Sequence, residues 1–287
     1  MNNIFKVAAF TLQEAFAKKL ILALLILTVV FLGLYFYGAH ALQENLTERA
    51  AELGRERLRR ADEIYATLSI MGLYVVNFLG SLVGIMLGVS TLSGEVESGL
   101  LMTILIKPLR RAELVLGKWL GLSLVSLVYL ALLGLGVVYG TYWITGYLPA
   151  DYLKTILLMA LGTWILLTST VLCSAVFPVL TSGVVMFMVY ALSWTGGLVG
   201  NLGKFTDTPL MEKIGLYSHY IFPSDAMWRF ASYYLQTRTM RDLPPGIRDG
   251  NPLVGSTEVQ SGDLVWAFFY LVALLGLAIV VFRRRDL

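Results

Sequence analysis

Residues 94–119 read GEVESGLLMTILIKPLRRAELVLGKW, a stretch that sets seven charges (Glu95, Glu97, Lys107, Arg110, Arg111, Glu113 and Lys118) between two long apolar runs. At the centre of a membrane span each Glu, Lys or Arg costs about 3 kcal/mol, so burying all seven in lipid costs on the order of 20 kcal/mol. The stretch is therefore a water-facing connector, and the apolar runs beside it are the spans that it joins.

Composition agrees with that reading. The chain of 287 residues is 57% hydrophobic and only 14% charged, against roughly 25% charged in an ordinary soluble domain, and its mean hydropathy is +0.73. This describes an all-α integral membrane protein. The formal net charge of +3 is small and scattered, with no basic tract interleaved with aromatics, which argues against a nucleic-acid partner. Cys173, the single cysteine, lies in an apolar run and reads as a packing residue.

Crossing the hydrocarbon core takes about 20 apolar residues. Six runs qualify: 20–38, 66–93, 114–141, 152–176, 179–202 and 264–282. The first holds thirteen Leu, Ile, Val or Phe residues, enough to insert with roughly 4 to 8 kcal/mol to spare. The fourth and fifth are divided only at Pro178, which lacks a backbone N–H and disfavours helix in the residue before it. Ala39-His40-Ala41 imitates a signal-peptidase site, but a 19-residue apolar core after 19 further residues is too long for a leader. The expectation is an uncleaved amino terminus. Ile4, Phe5, Val7, Ala8, Leu12, Ala15 and Phe16 fall at near-helical spacing and predict an amphipathic helix lying in the interface before span one.

Orientation follows from Lys and Arg. With both termini in the cytoplasm, ten basic residues lie inside and twelve outside. The long connector 203–263 translocates largely regardless of its charge, and removing its six basic residues leaves ten inside against six outside. Both termini are expected in the cytoplasm, with 39–65 and 203–263 as outer loops. Five arginines in the first outer loop oppose this, but acidic residues are mixed among them, including the helical pair Glu56 and Arg60, as in a solvated continuation of a span.

Within the coupling segment, 94–113, Val96, Leu100, Leu101, Ile104 and Leu105 share one helical face, and Glu95 and Glu97 occupy the first turn, where the helix dipole favours anions. Pro108 ends that helix, and Arg110, Arg111 and Lys118 supply cations where the chain re-enters the membrane. Chemistry alone allows either a rigid lever or a charged loop beside lipid headgroups. The order and spacing of Glu95, Glu97, Gly99, Leu101, Ile104, Leu105, Pro108, Arg111, Gly117 and Lys118 resemble the pattern E-x-E-x-G-T-L, two aliphatics, P-x-S-R and a later G-K of type-2 ABC exporter permeases. Leu100 and Arg110 depart from it, standing where Thr and Ser are usual. The end of the chain, from Phe282 to Leu287, resembles that family's F-x-R-R-D, and the resemblance covers nearly the whole sequence.

The resemblance implies a single permease domain over 1–287 that moves an amphipathic, lipid-like, peptide or drug-like substrate outward. It implies two ABC ATPase subunits as partners, a second permease subunit, identical or related, and a lipid setting in a prokaryotic plasma membrane. ATP and Mg would be bound by the partner, with no cofactor or metal held by this chain. The ATPase-coupling residues would be Glu95, Glu97, Gly99, Leu101, Leu105, Pro108, Arg111 and Lys118. Short helices in 203–263 would dip back toward the membrane as an outer gate, with Tyr220, Pro223, Asp225, Trp228 and Arg229 as candidates; an interfacial cap without gating is the plainer alternative. The string FPSDAMWRF also resembles a P-x-D-A pattern, followed by Arg, of permeases linked to multicopper-enzyme maturation.

Gly80, Gly84 and Gly88, and likewise Gly196 and Gly200, have the four-residue spacing of close helix contacts, within one subunit or between two. Neither Gly117-Lys118 nor Gly203-Lys204 has the surroundings of a phosphate loop, so no nucleotide chemistry is expected in this chain. His40 and His219 are isolated in sequence. A stand-alone secondary carrier or channel is the rival reading, and an intramembrane enzyme a third. The spans lack the central ionisable residues that either would use.

Overall fold

A run of apolar residues in lipid satisfies its backbone by coiling into helix, and the chain does so throughout. The computed structural model describes residues 3–17, 19–53, 56–94, 110–242 and 256–284. The described residues form helices joined by short turns, with no strand among them. In chain order the helices are α1 (Asn3–Ala17), α2 (Lys19–Leu53), α3 (Glu56–Val89), α4 (Arg111–Thr145), α5 (Tyr152–Val176) and α6 (Val179–Phe205). There follow α7 (Pro209–Ile221), α8 (Ser224–Leu235), α9 (Arg238–Arg241) and α10 (Ser261–Arg284).

Six helical stretches are long and apolar enough to cross a membrane: Leu24–Glu48, Ala61–Val89, Arg111–Thr145, Tyr152–Val176, Val179–Lys204 and Ser261–Arg284. The described part of 39–65, expected as an outer segment that continues a span as a solvated helix, is helical. α2 continues to Leu53 and α3 starts at Glu56, so a 35-residue helix of about 52 Å outruns the hydrocarbon core. The physical reason is that mixed Glu and Arg residues sustain a solvated helix as well as they sustain a loop.

α5 ends where Pro178 requires. Phe177 turns extended (φ −104°, ψ 157°), its N–H closes on the Cys173 carbonyl, and α6 starts one residue after the proline. α4 stops at Gly146, whose left-handed φ of +75° suits glycine and lets its N–H cap the Tyr142 carbonyl.

α5 is the centre of the bundle. In its most apolar window 78% of residues are buried, against 17% in α2 and in α10, which stand at the periphery. α3 lies against α5 because glycine allows it: a methyl added at Gly84 would come within 3.1 Å of the Thr163 carbonyl oxygen, and one at Gly88 within 2.7 Å of Thr170 Cβ. One added at Gly80 would meet Leu130 of α4 at 2.8 Å. These three contacts lie within one subunit.

α1 packs across the start of α4, seated on Gly117 and Gly121, where an added methyl would meet Ile4 and Ala8 backbone oxygens at 2.8 Å. Thr11 and Ala15 of α1 face inward, while Phe5 and Phe10 remain 61% and 69% exposed. Asn3 bonds to Glu113, and Arg111 to Arg283, so both ends of the described chain lie at one end of the bundle. We call it the termini end. α7 and α8 form the opposite, hairpin end.

Candidate functional site

The termini end holds the attachments of the charged connector. Glu95, Glu97, Gly99, Leu101, Leu105 and Pro108 lie outside the described residues. The residues that anchor the connector are described. Lys118 is 5% exposed, and its ammonium donates to the Thr91 carbonyl at 2.8 Å. Thr91 follows the end of α3, where carbonyls lack intrahelical partners. The side chain thus ties the helix before the connector to the helix after it. Thr11, Glu14 and Ser90 line a cavity of about 60 Å³ beside it.

Arg111, the first residue of α4, points the other way. Its guanidinium donates through Nη1 to the carbonyls of Phe282 (3.4 Å) and Arg283 (3.1 Å) in the last turn of α10. Glu113 accepts from the Arg110 backbone N–H at 3.1 Å and from Asn3 at 3.3 Å, fixing the first turn of α4. Of the residues expected to face an ATPase, Lys118 is therefore directed into the protein. Its sequence signal, a cation just inside a span, does not distinguish a surface contact from an internal tie.

At the hairpin end α7 folds back along α6 with almost no spacing. A methyl added at Gly200 would lie 2.6 Å from Gly215 Cα, and one at Gly196 would lie 2.7 Å from Ser218 Cβ. Ser218 donates to the Ser193 carbonyl, and Ser193 donates to the Phe222 carbonyl at 3.0 Å. The chain reverses at Phe222 and the buried Pro223, and α8 returns along α5, where Thr155 donates to the Ala231 carbonyl at 3.2 Å.

α8 presents a charge pair to α6. Arg229 donates from Nη2 (2.6 Å) and Nε (3.0 Å) to one Asp225 oxygen, and from Nη1 to Asn201 at 3.4 Å. Their side chains are 11% and 12% exposed. The pair lies directly over Gly197, where any side chain would overlap both partners. Asp225 also occupies the first turn of α8, where the helix dipole favours an anion. Trp228, 3% exposed, meets Tyr74 of α3 edge-on at 5.4 Å, and Tyr74 accepts a 2.8 Å hydrogen bond from Trp194 of α6.

Tyr220 stands apart from this group. It is 47% exposed, and its carbonyl accepts a hydrogen bond from the Trp266 indole of α10 at 3.2 Å. Beside it His219, isolated in sequence, has its Nε2 3.6 Å from Asp263 at the start of α10. Burial lowers the His219 pKa, Arg229 adds to this, and Asp263 and Asp225 oppose it. Asp263 accepts the Gln260 N–H on its other oxygen. Five of the residues that matter here, Tyr74, Trp194, Asn201, His219 and Asp263, were missed as site residues from sequence. Only their aromatic or polar character inside or beside spans marked them, and nothing local paired them. Among the described residues no three His, Cys, Asp or Glu side chains come together as metal ligands.

Comparison with known proteins bears on both ends of the bundle. The family model described as ABC-2 family transporter protein matches residues 6–287. The chain is also similar to the probable ABC transporter permease protein NosY of Stutzerimonas stutzeri, 29% identical over 137 residues, which is 47% of this chain and 44% of that protein.

Proposed function

The chain belongs to the ABC-2 family of transporter proteins as a multi-pass membrane subunit, and we propose that it exports an amphipathic cargo using ATP hydrolysed by separate ABC ATPase subunits. Two permease subunits, identical or related, would enclose the path. Both termini would be cytoplasmic, in a prokaryotic plasma membrane. ATPase closure would push on 94–113, and the α7–α8 hairpin, dipping back into the outer leaflet, would serve as the gate.

The observation that carries this reading is the buried bond from Lys118 to the Thr91 carbonyl, 2.8 Å long. A lever works only if the helices attached to it move together, and this bond joins α3 to α4 beside the connector. Faces of α3 and α6 left open by the fold carry Phe78, Phe187 and Trp194, exposed by 43%, 47% and 38%, together with Thr195. Such a surface of rings and hydroxyls suits an amphipathic or lipid-like molecule, and spans one, two and five would line the path.

Purification from native membrane in mild detergent tests the proposal. An ABC ATPase should accompany the chain, and the reconstituted complex should release cargo outward only with ATP and Mg. Release driven by an ion gradient without an ATPase would favour a stand-alone carrier and overturn it.

A further inference from the structure

α10 is held along its length by a single seam. Ala267, Leu271, Ala278 and Phe282 are its buried residues, spaced along one stripe, with Tyr270, Leu275, Ile279 and Val281 half-buried beside them. That packing is apolar and undirected, and directed bonds at both ends tie the helix to different partners. At the termini end Arg111 donates to the carbonyls of Phe282 and Arg283 in the last described turn. Leu114 and Val115 of α4 share a buried cluster with Ala278 and Phe282, so the cap sits on packed ground. At the hairpin end Trp266 donates to the Tyr220 carbonyl, and Asp263 faces His219, both on α7. The two fixed points, residues 266 and 282, lie about 24 Å apart along the helix axis.

We infer that α10 is a rod linking the connector's exit to α7, with Arg111 as the positioning residue at one end and Trp266 and Asp263 at the other. Arg111 directly follows the connector, so displacement there pulls on the α10 carbonyls, and an intact helix passes an axial shift to its far end. α7 receives the directed bonds of α10 itself, whereas α8 is bonded to α5, through Thr155 and the Ala231 carbonyl, and to the segment before α10, through Thr257 and Ser256. The link itself is a property of the folded chain. Its use in transport rests on the exporter reading above.

Hydrogen exchange on the purified full chain, without ATPase or nucleotide, tests the link. Arg111→Met should speed exchange of the amides at the end of α7, residues 218–222, by about fivefold or more, affect α8 clearly less, and be reversed by Arg111→Lys, whose ammonium can still cap carbonyls. Trp266→Phe should loosen the same amides, and the double variant should exchange no faster than the faster single. Unchanged α7 exchange in Arg111→Met, equal loosening of α7 and α8, or multiplying effects in the double variant would each overturn the inference. If Arg111→Met does not fold, Asp263→Asn replaces it, with slower exchange expected nowhere and faster exchange expected in α7 more than in α8; no change in α7 overturns the link. Because this measurement needs no transport, failure of ATP-driven export in the unmodified complex would overturn the exporter reading and leave the link to be judged on its own result.

Discussion

Trp228 stands edge-on to Tyr74 with ring centroids 5.4 Å apart, and Tyr74 in turn receives the Trp194 indole at 2.8 Å. One phenol ring on α3 thus joins α8 of the hairpin to α6, and the Asp225–Arg229 pair, three residues before Trp228 and one after it, sits on the neighbouring face.

Removing one member of that pair strands the other in a buried site. Asp225→Ala should destabilise the protein by about 3–5 kcal/mol, while the double variant Asp225→Leu with Arg229→Met should recover much of the loss. Thermal unfolding of the two variants in the same detergent checks this. A single variant as stable as the parent would show that the pair does not hold α8 in place.

Burial holds His219 below the ordinary imidazole value. The folded state therefore binds this proton less readily than the unfolded chain, whose imidazole titrates near about 6.5. Stability is complete above that pH and falls as pH drops through it, levelling once folded His219 is itself protonated. Unfolding temperatures between about pH 8 and pH 5 should fall more steeply for the parent protein than for His219→Gln. Parallel profiles would assign the acid sensitivity to other groups.

Gly200 and Gly33 should respond oppositely to alanine. The methyl of Gly200→Ala meets the α7 backbone at 2.6 Å, a clash that costs about 1–3 kcal/mol. Gly33 has nothing within 4 Å of its added methyl, so Gly33→Ala should gain about 0.5–1 kcal/mol from helix propensity alone. Equal effects at the two positions would mean that α7 is not seated on α6 as described.

Lys118→Met deprives the Thr91 carbonyl of its donor, a loss of about 1–3 kcal/mol, and in the reconstituted complex should lower export per ATP hydrolysed more than it lowers hydrolysis. Glu97→Lys in the connector should uncouple in the same way with the protein still inserted. Normal export per ATP in both would remove the lever from the mechanism.

Spans four to six were legible because single residues announce their ends: Pro178 forces the break between α5 and α6, and the basic cluster from Arg283 ends the last apolar run. The helical ends that reach into 39–65 were harder, since mixed Glu and Arg satisfy water in either conformation. Asp225, Trp228 and Arg229 were readable as a group because they share one short helix. His219 and Asp263 were not, because 43 intervening residues had to fold before the two could meet. Lys118 was found as a position, but the direction of its side chain follows from where α3 ends, which local sequence does not state.

The two arms of the hairpin stand chiefly on different spans, α7 on α6 and α8 on α5, and the chain turns from one span to the other at the opposite end through Phe177 and Pro178. That is the geometry of a pair of tongs. α5, with 25 residues, is about 37 Å long, so a turn of about 5° at the proline separates the tips by about 3 Å. A movement too small to unpack either helix at its base is then enough to part the ring of Trp228 from its neighbours.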